Sequence, residues 1–229
     1  MQAAYQGEAE CKSCSLRESA VLFSGLDDSD FEHLHAPIEQ FSVAAGSRIY
    51  RDNEPGEFLY TLRKGLVKLV NSLPDGSQRI VGMAGPTDVI GLEVLVQPHY
   101  DADAVVVLDA ELCRIPLAVV RDLSDKNPAL HEELLRRWQK ALREANRWLT
   151  DLSTGSARQR IARLLLMLDC KGNIHCELLN REDMAGVLVL TVETVSRIIA
   201  DKKRAGVLRK DSNNCYICDN DQLKKISYE

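Results

Sequence analysis

The 229-residue chain has no apolar run approaching the ~18 residues that cross a bilayer, and its first thirty residues lack a basic stretch followed by an apolar core. The expectation is a cytoplasmic protein with no membrane contact. It also lacks an excess of positive charge: 29 Lys and Arg stand against 34 Asp and Glu, net −5, which taken whole argues against a nucleic-acid ligand. It contains no nucleophile–base constellation, no phosphate-cradling glycine loop and no His–Glu metal pair, so no enzyme and no catalytic residues are expected. Without an export signal, seven cysteines read as reduced thiols, metal or cluster ligands, or a redox switch, and not as a disulfide framework.

What is present is ordinary globular composition, 45% hydrophobic and 28% charged, in a length that suits one large or two small domains. The charge is unevenly placed. Residues 1–154 carry 16 basic against 24 acidic side chains, whereas residues 155–229 carry 13 against 10, so the acidic total conceals a basic C-terminal part.

From about residue 36 to 116, turn residues recur every ten residues or so (Gly46, Pro55-Gly56, Gly65, Pro74-Asp75-Gly76, Gly85-Pro86, Gly91, Pro98), the rhythm of short strands in a sandwich, barrel or roll. The clearest hairpin joins Leu66–Asn71 to Gln78–Met83 through Pro74-Asp75-Gly76. At Asn127-Pro128 the pattern changes to a long helix reaching Ser153. Its residues Leu135, Trp138, Leu142, Ala145, Leu149 and Leu152 fall at alternating steps of three and four, flanked by charges that include Arg136, Arg137 and Lys140. One heptad face does not distinguish a partner chain from a partner domain, but six consecutive matches favour a dimer seam. Thr154-Gly155-Ser156 reads as a hinge.

A compact helical segment follows. Ala157–Leu168 is amphipathic, with Ile161, Leu164, Leu165 and Leu168 inward. After a short β-like piece at Asn173–Glu177, Asn180 caps one helix, Thr191 caps a second running to about Arg204, and Gly206 stops it. Two short helices across a tight turn, the second one basic, form a helix-turn-helix pattern. With Val192, Val195 and Ile199 inward, Glu193, Ser196 and Arg197 share the outward face of the second helix's N-terminal half, where base edges are read. Thr191, Thr194, Lys202, Lys203, Arg204, Arg209 and Lys210 are the expected phosphate contacts; residues 191–210 hold six basic against two acidic side chains. The turn at Arg209–Asn214 before the Cys215–Cys218 strand reads as a wing. The absence of exposed aromatics on the basic helix disfavours RNA, whose bases are recognised by stacking.

The roll glycines, the long helix and the run Leu190-Thr191-Val192-Glu193-Thr194-Val195-Ser196-Arg197 closely resemble the CRP/FNR family of bacterial transcription regulators over essentially the whole chain. The resemblance is to the FNR branch, whose Glu, Ser and Arg in this register read half-sites of the type TTGAT…ATCAA. The cAMP-receptor branch would place Arg at Val192 and usually Gly at Ser196. One departure lies in the turn, where family members commonly have Gly and this chain has Val189. The resemblance implies an α+β fold with a β-roll sensor domain (1–126), a dimerisation helix and hinge (127–154) and a winged helix-turn-helix domain (155–229). The implied partners are a palindromic double-stranded operator, a second copy of the chain and RNA polymerase.

The effector is less legible. Cyclic-nucleotide-binding relatives carry an Arg for the ligand phosphate a few residues beyond a segment like Gly91-Leu92-Glu93. Residues 86–107 contain no Lys or Arg but do contain Asp88, Glu93, Asp101 and Asp103, so no cyclic nucleotide is expected. Cys11, Cys14 and Cys113 match three of the four cysteines that hold the 4Fe-4S cluster of oxygen-sensing FNR proteins; Ala20 stands where the remaining one is expected. Ala145 also replaces the acidic residue that oxygen-responsive members tend to have in the seam. Three readings stay open: a thiol–disulfide switch linking Cys113 with the N-terminal pair, an iron-sulfur cluster or metal site with a non-cysteine ligand, and structural cysteines beside an unrelated small-molecule or haem effector. The cofactor and any metal therefore remain unknown from sequence. His33, His35, His99, Cys170, Cys176, Cys215 and Cys218 read as structural.

Overall fold

The computed structural model describes residues 3–8, 37–76, 78–169, 176–177, 179–210 and 215–228. The fold is a β-sheet domain followed by helices and a helix-turn-helix domain, as expected. Contacts divide the chain into two compact units, residues 1–72 with 81–142, and residues 73–80 with 143–229.

The first seven strands are β1 (Ala3–Glu8), β2 (Glu39–Val43), β3 (Arg48–Tyr50), β4 (Phe58–Ser72), β5 (Gln78–Ala84), β6 (Val89–Ile90) and β7 (Asp103–Pro116). They form one sheet in the order β1-β2-β7-β4-β5, with β3 also on β7 and β6 on β4. β4 and β7 are its antiparallel spine, from Phe58 opposite Pro116 to Val70 opposite Asp103, broken by bulges around Gly65. Gly65 has φ +91, and a Cβ there would lie 2.5 Å from the Asp109 carbonyl oxygen, so the bulge requires glycine. The hairpin turn is the expected one: the Gly76 amide donates to the Leu73 carbonyl at 2.9 Å, with φ +81 at Gly76.

Leu59, Leu62, Val67, Leu112 and Ile115 point into the core, with the bulges of β4 interrupting strict alternation. Helix α1 (Leu117–Lys126) adds Val119, Val120 and Leu123. Asn127 Oδ1 then accepts from the Ala129 amide at 2.9 Å, and Pro128 opens helix α2 (Pro128–Arg147), where its missing N–H costs nothing. Leu130 and Leu134 of α2 close the roll core.

In the second unit, a five-residue π-helical segment (Trp148–Leu152) precedes Gly155, which has φ +86. Helices α3 (Ala157–Asp169), α4 (Arg181–Leu188), α5 (Val192–Arg204) and α6 (Asn220–Tyr228) surround Ile161, Leu164, Leu165, Met184, Leu188, Val195 and Leu223. Strands β8 (Cys176–Glu177), β9 (Leu208–Lys210) and β10 (Cys215–Cys218) form a small antiparallel sheet with β10 in the middle.

Candidate functional site

The α4–α5 turn is built from local bonds. Asn180 Oδ1 accepts from the Asp183 amide at 2.6 Å to start α4, and Thr191 Oγ1 accepts from the Thr194 amide at 3.2 Å to start α5. Between them Val189 takes φ 52 and ψ 52, the left-handed region. The glycine common at this turn is thus replaced without a change of backbone class, at the cost of placing a β-branched residue where its Cβ crowds the chain. Arg160 of α3 donates to the Leu188 carbonyl at 2.8 Å, and the Leu190 amide donates to the Ala185 carbonyl at 3.1 Å, so the end of α4 is satisfied.

On α5, Val195, Ile198 and Ile199 are buried, and Glu193, Ser196 and Arg197 are exposed on the opposite side of the N-terminal half, as the spacing requires. Val192 departs from its expected inward place and is exposed. The expected phosphate contacts separate into groups. Thr191, Arg204, Arg209 and Lys210 are exposed; Arg204 also bonds to Asp201. Thr194 is half-buried and shares a hydrogen bond with Thr191.

Lys202 is a correction. Only 6% of it is exposed because it follows Val195 and Ile199 on the inward face, so it is a buried residue of this unit and not a surface cation. Lys203 donates to the Tyr216 hydroxyl and lies 4.1 Å from the ring centroid of that residue. Sequence reasoning missed Tyr216, since nothing in the periodicity of α5 shows what β10 places beside it.

The apolar stripe expected for a dimer seam is exposed along most of its length. Leu135, Leu142 and Leu149 are 59%, 61% and 65% exposed, and Trp138 and Ala145 are exposed between them. Leu152 is a correction: at 2% exposure it is buried within its own unit, where the π-helical segment rotates it out of the stripe. Arg137, read as a flanking surface charge, is buried instead. Its Nε and Nη2 bind the Glu133 carboxylate at 2.7 and 2.6 Å, and its Nη1 donates to the Thr87 carbonyl at 3.2 Å. Lys140 adds a 2.6 Å pair with Asp88. A turn of the roll thereby holds α2 on the face opposite its leucine stripe.

In the roll, Tyr50 stacks on Tyr100 at 3.8 Å, and the Tyr100 hydroxyl donates to the Phe58 carbonyl at 2.8 Å. Burial pushes both phenols well above their ordinary pKa. It also raises the Glu93 carboxyl, whose Oε1 accepts from the Asp101 amide at 3.5 Å. Arg48 of β3 pairs with Asp103 at 3.1 Å, a partner that segment 86–107 could not supply itself. An open cavity of about 580 Å³ is lined by Ser47, Arg48, Tyr50, Asp52 and neighbours.

Cys113 is half-buried in β7, opposite Gln40 of β2 and Thr61 of β4. Cys11, Cys14, His33 and His35 lie outside the described residues. Among the described residues, no three His, Cys, Asp or Glu side chains are placed to hold a metal ion, and no helix is long and apolar enough to cross a membrane.

Comparison with known proteins agrees with this arrangement. Residues 40–127 match the model of the cyclic nucleotide-binding domain, and residues 159–226 match that of the Crp-like helix-turn-helix domain. The chain is 25% identical over 225 residues to the fumarate and nitrate reduction regulatory protein of Shigella dysenteriae, covering 95% of this chain and 90% of that one. It is likewise 25% identical to the transcriptional activator protein anr of Pseudomonas aeruginosa, covering 94% of this chain and 91% of that one. The crystal structure of FixK2 from Bradyrhizobium japonicum superposes with a TM-score of 0.75 and 25% identity, over 82% of this chain and 96% of that one.

Proposed function

This chain belongs to the CRP/FNR family of bacterial transcription regulators, and on that premise we propose that it binds a TTGAT-type palindrome as a homodimer through Glu193, Ser196 and Arg197. The observation that carries the reading is the joint exposure of these three side chains on the first half of α5, behind a capped turn held by Arg160. The Arg guanidinium fork matches guanine O6 and N7, Glu accepts from a cytosine amino group, and Ser bonds to either strand. Thr191, Arg204, Arg209 and Lys210 would supply phosphate contacts. Leu135, Trp138, Leu142, Ala145 and Leu149 would pair with the same stripe of a second copy, setting two recognition helices one DNA turn apart. In this arrangement residues 1–126 sense, 127–154 dimerise and flex, and 155–229 read DNA, with RNA polymerase as the downstream partner.

A redox input through cysteine, and not cyclic nucleotide binding, is the reading that the sensor unit supports. Relatives carry names such as anaerobic regulatory protein, and the segment matching a nucleotide site is acidic, with the roll's nearby Arg48 already paired to Asp103. The donor set fits a four-thiolate cluster incompletely. Ala20 stands where one thiolate is expected, and among the described residues no three His, Cys, Asp or Glu side chains come together to hold a metal.

Arg197→Ala is expected to weaken binding to the palindrome by about 1–3 kcal/mol while leaving random DNA nearly unchanged. A salt-matched mobility shift checks this, and equal loss on both duplexes would remove the base-reading role. Leu142→Glu is expected to give monomers in light scattering, since it sets like charges against each other across the seam; a persistent dimer would relocate the interface.

A further inference from the structure

Lys203 stands in the last turn of α5, where a DNA backbone contact is the obvious role, but its ammonium is occupied within the unit. It donates to the Tyr216 hydroxyl and rests 4.1 Å from the ring centroid. Tyr216 is the centre of the small sheet, paired with Lys210 of β9 on one side and with Cys176 of β8 on the other. Its ring is buried. The Lys203 bond leads the influences that lower the Tyr216 pKa, followed by the nearby charges of Lys210 and Arg181. β9 is only three residues long; its exposed Arg209 donates to the Gly206 carbonyl at 3.4 Å, and its exposed Lys210 is carried by the ladder to β10. Lys has four rotatable bonds, so ordering it over a phenol costs entropy that a hydrogen bond and a cation–π contact together offset.

We propose that Lys203 and Tyr216 form a lock fixing the β9–β10 hairpin to the recognition helix, so that Lys203 is a positioning residue for Arg209 and Lys210 and not a phosphate contact. Because Lys210 lies directly opposite Tyr216 on the ladder, any tilt of β10 away from α5 displaces the Lys210 ammonium. The proposal rests on the DNA-binding reading for its purpose, though the lock itself exists without DNA.

Two measurements on the full chain separate these. In the first, without DNA, ultraviolet titration follows the phenol that Tyr216→Phe removes. It should titrate below an ordinary tyrosine, move up in Lys203→Gln and return in Lys203→Arg. No movement in Lys203→Gln would overturn the lock whatever happens with DNA. In the second, mobility shifts on a TTGAT-type palindrome compare Lys203→Gln, Tyr216→Phe and the double variant. Each single variant should lose roughly threefold to tenfold in affinity, with the double variant losing no more than the worse single. The alternative, a direct phosphate contact, gives a harmless Tyr216→Phe, a Lys203→Gln whose salt slope falls by about 1, and additive losses; that result would overturn the positioning role. Wild-type protein that fails to bind the palindrome would sink the DNA reading of the positioning role, while the titration still decides the lock.

Discussion

The two units hold their ionisable groups in opposite ways. In the roll, Tyr50, Tyr60, Tyr100 and Glu93 are all pushed toward their uncharged forms, and burial is the leading cause for each. In residues 143–229, Tyr216 and Asp219 are drawn the other way by specific donors, the Lys203 ammonium for one and the Gln222 backbone amide for the other. The roll surrounds its polar groups with apolar packing. Apart from the buried Lys202 and Asp183, the C-terminal unit keeps its charges nearer water and orients several of them with local bonds, as suits a surface that meets a polyanion. Arg137 is the exception on the roll side, a full charge carried inside by one carboxylate and one carbonyl.

Arg137 is therefore where the contrast breaks with the largest effect. Arg137→Met is expected to destabilise the first unit by about 1–3 kcal/mol, because Glu133 would keep only its longer 3.7 Å pair with Arg136 and the Thr87 carbonyl would lose its donor. Differential scanning calorimetry of the full chain checks this, and a loss below about 1 kcal/mol would reclassify the pair as an ordinary surface one.

A smaller effect, of opposite sign, is expected at Val189. Val189→Gly relieves the left-handed strain but frees the unfolded chain, for a net gain of about 0.5–1 kcal/mol in the C-terminal unit, with operator affinity unchanged. A loss of stability would mean that its neighbours already compensate the strain.

The smallest effect sharpens the comparison through pH. Burial raises the folded Glu93 pKa above its unfolded value, so the stability linked to its bound proton is whole below the ordinary glutamate range and is lost as pH rises through the folded pKa. Glu93→Gln should accordingly gain on wild type in melting temperature from acid to neutral pH. A constant difference across that range would show that Glu93 titrates like an exposed residue.

Much of this was legible from residue order. The caps at Asn180 and Thr191, the stop at Gly206, the Leu73–Gly76 turn, the inward face of α3 and, Val192 apart, that of α5 all depend on side chains within four positions of one another. What escaped depends on partners distant in sequence. Arg137, Lys202 and Lys203 look like solvated charges in any helical projection. Whether a long aliphatic stem runs outward or along apolar surface is decided by β6's approach turn, by the unit core and by β10 respectively. Leu152 escaped for another reason: the period was correct, but the π-helical winding changes the angle per residue. The same limit applies to the three candidate cysteines, where Cys113 has a defined place in β7 and its two sequence companions lie outside the described residues.

The exposed stripe from Leu135 to Leu149 has a consequence in mass action. As a seam between two copies, it makes the operator-binding species second order in the chain wherever monomers predominate, so halving expression leaves a quarter of the active form. A promoter served by such a protein responds to the amount of regulator as a threshold, before any effector has acted.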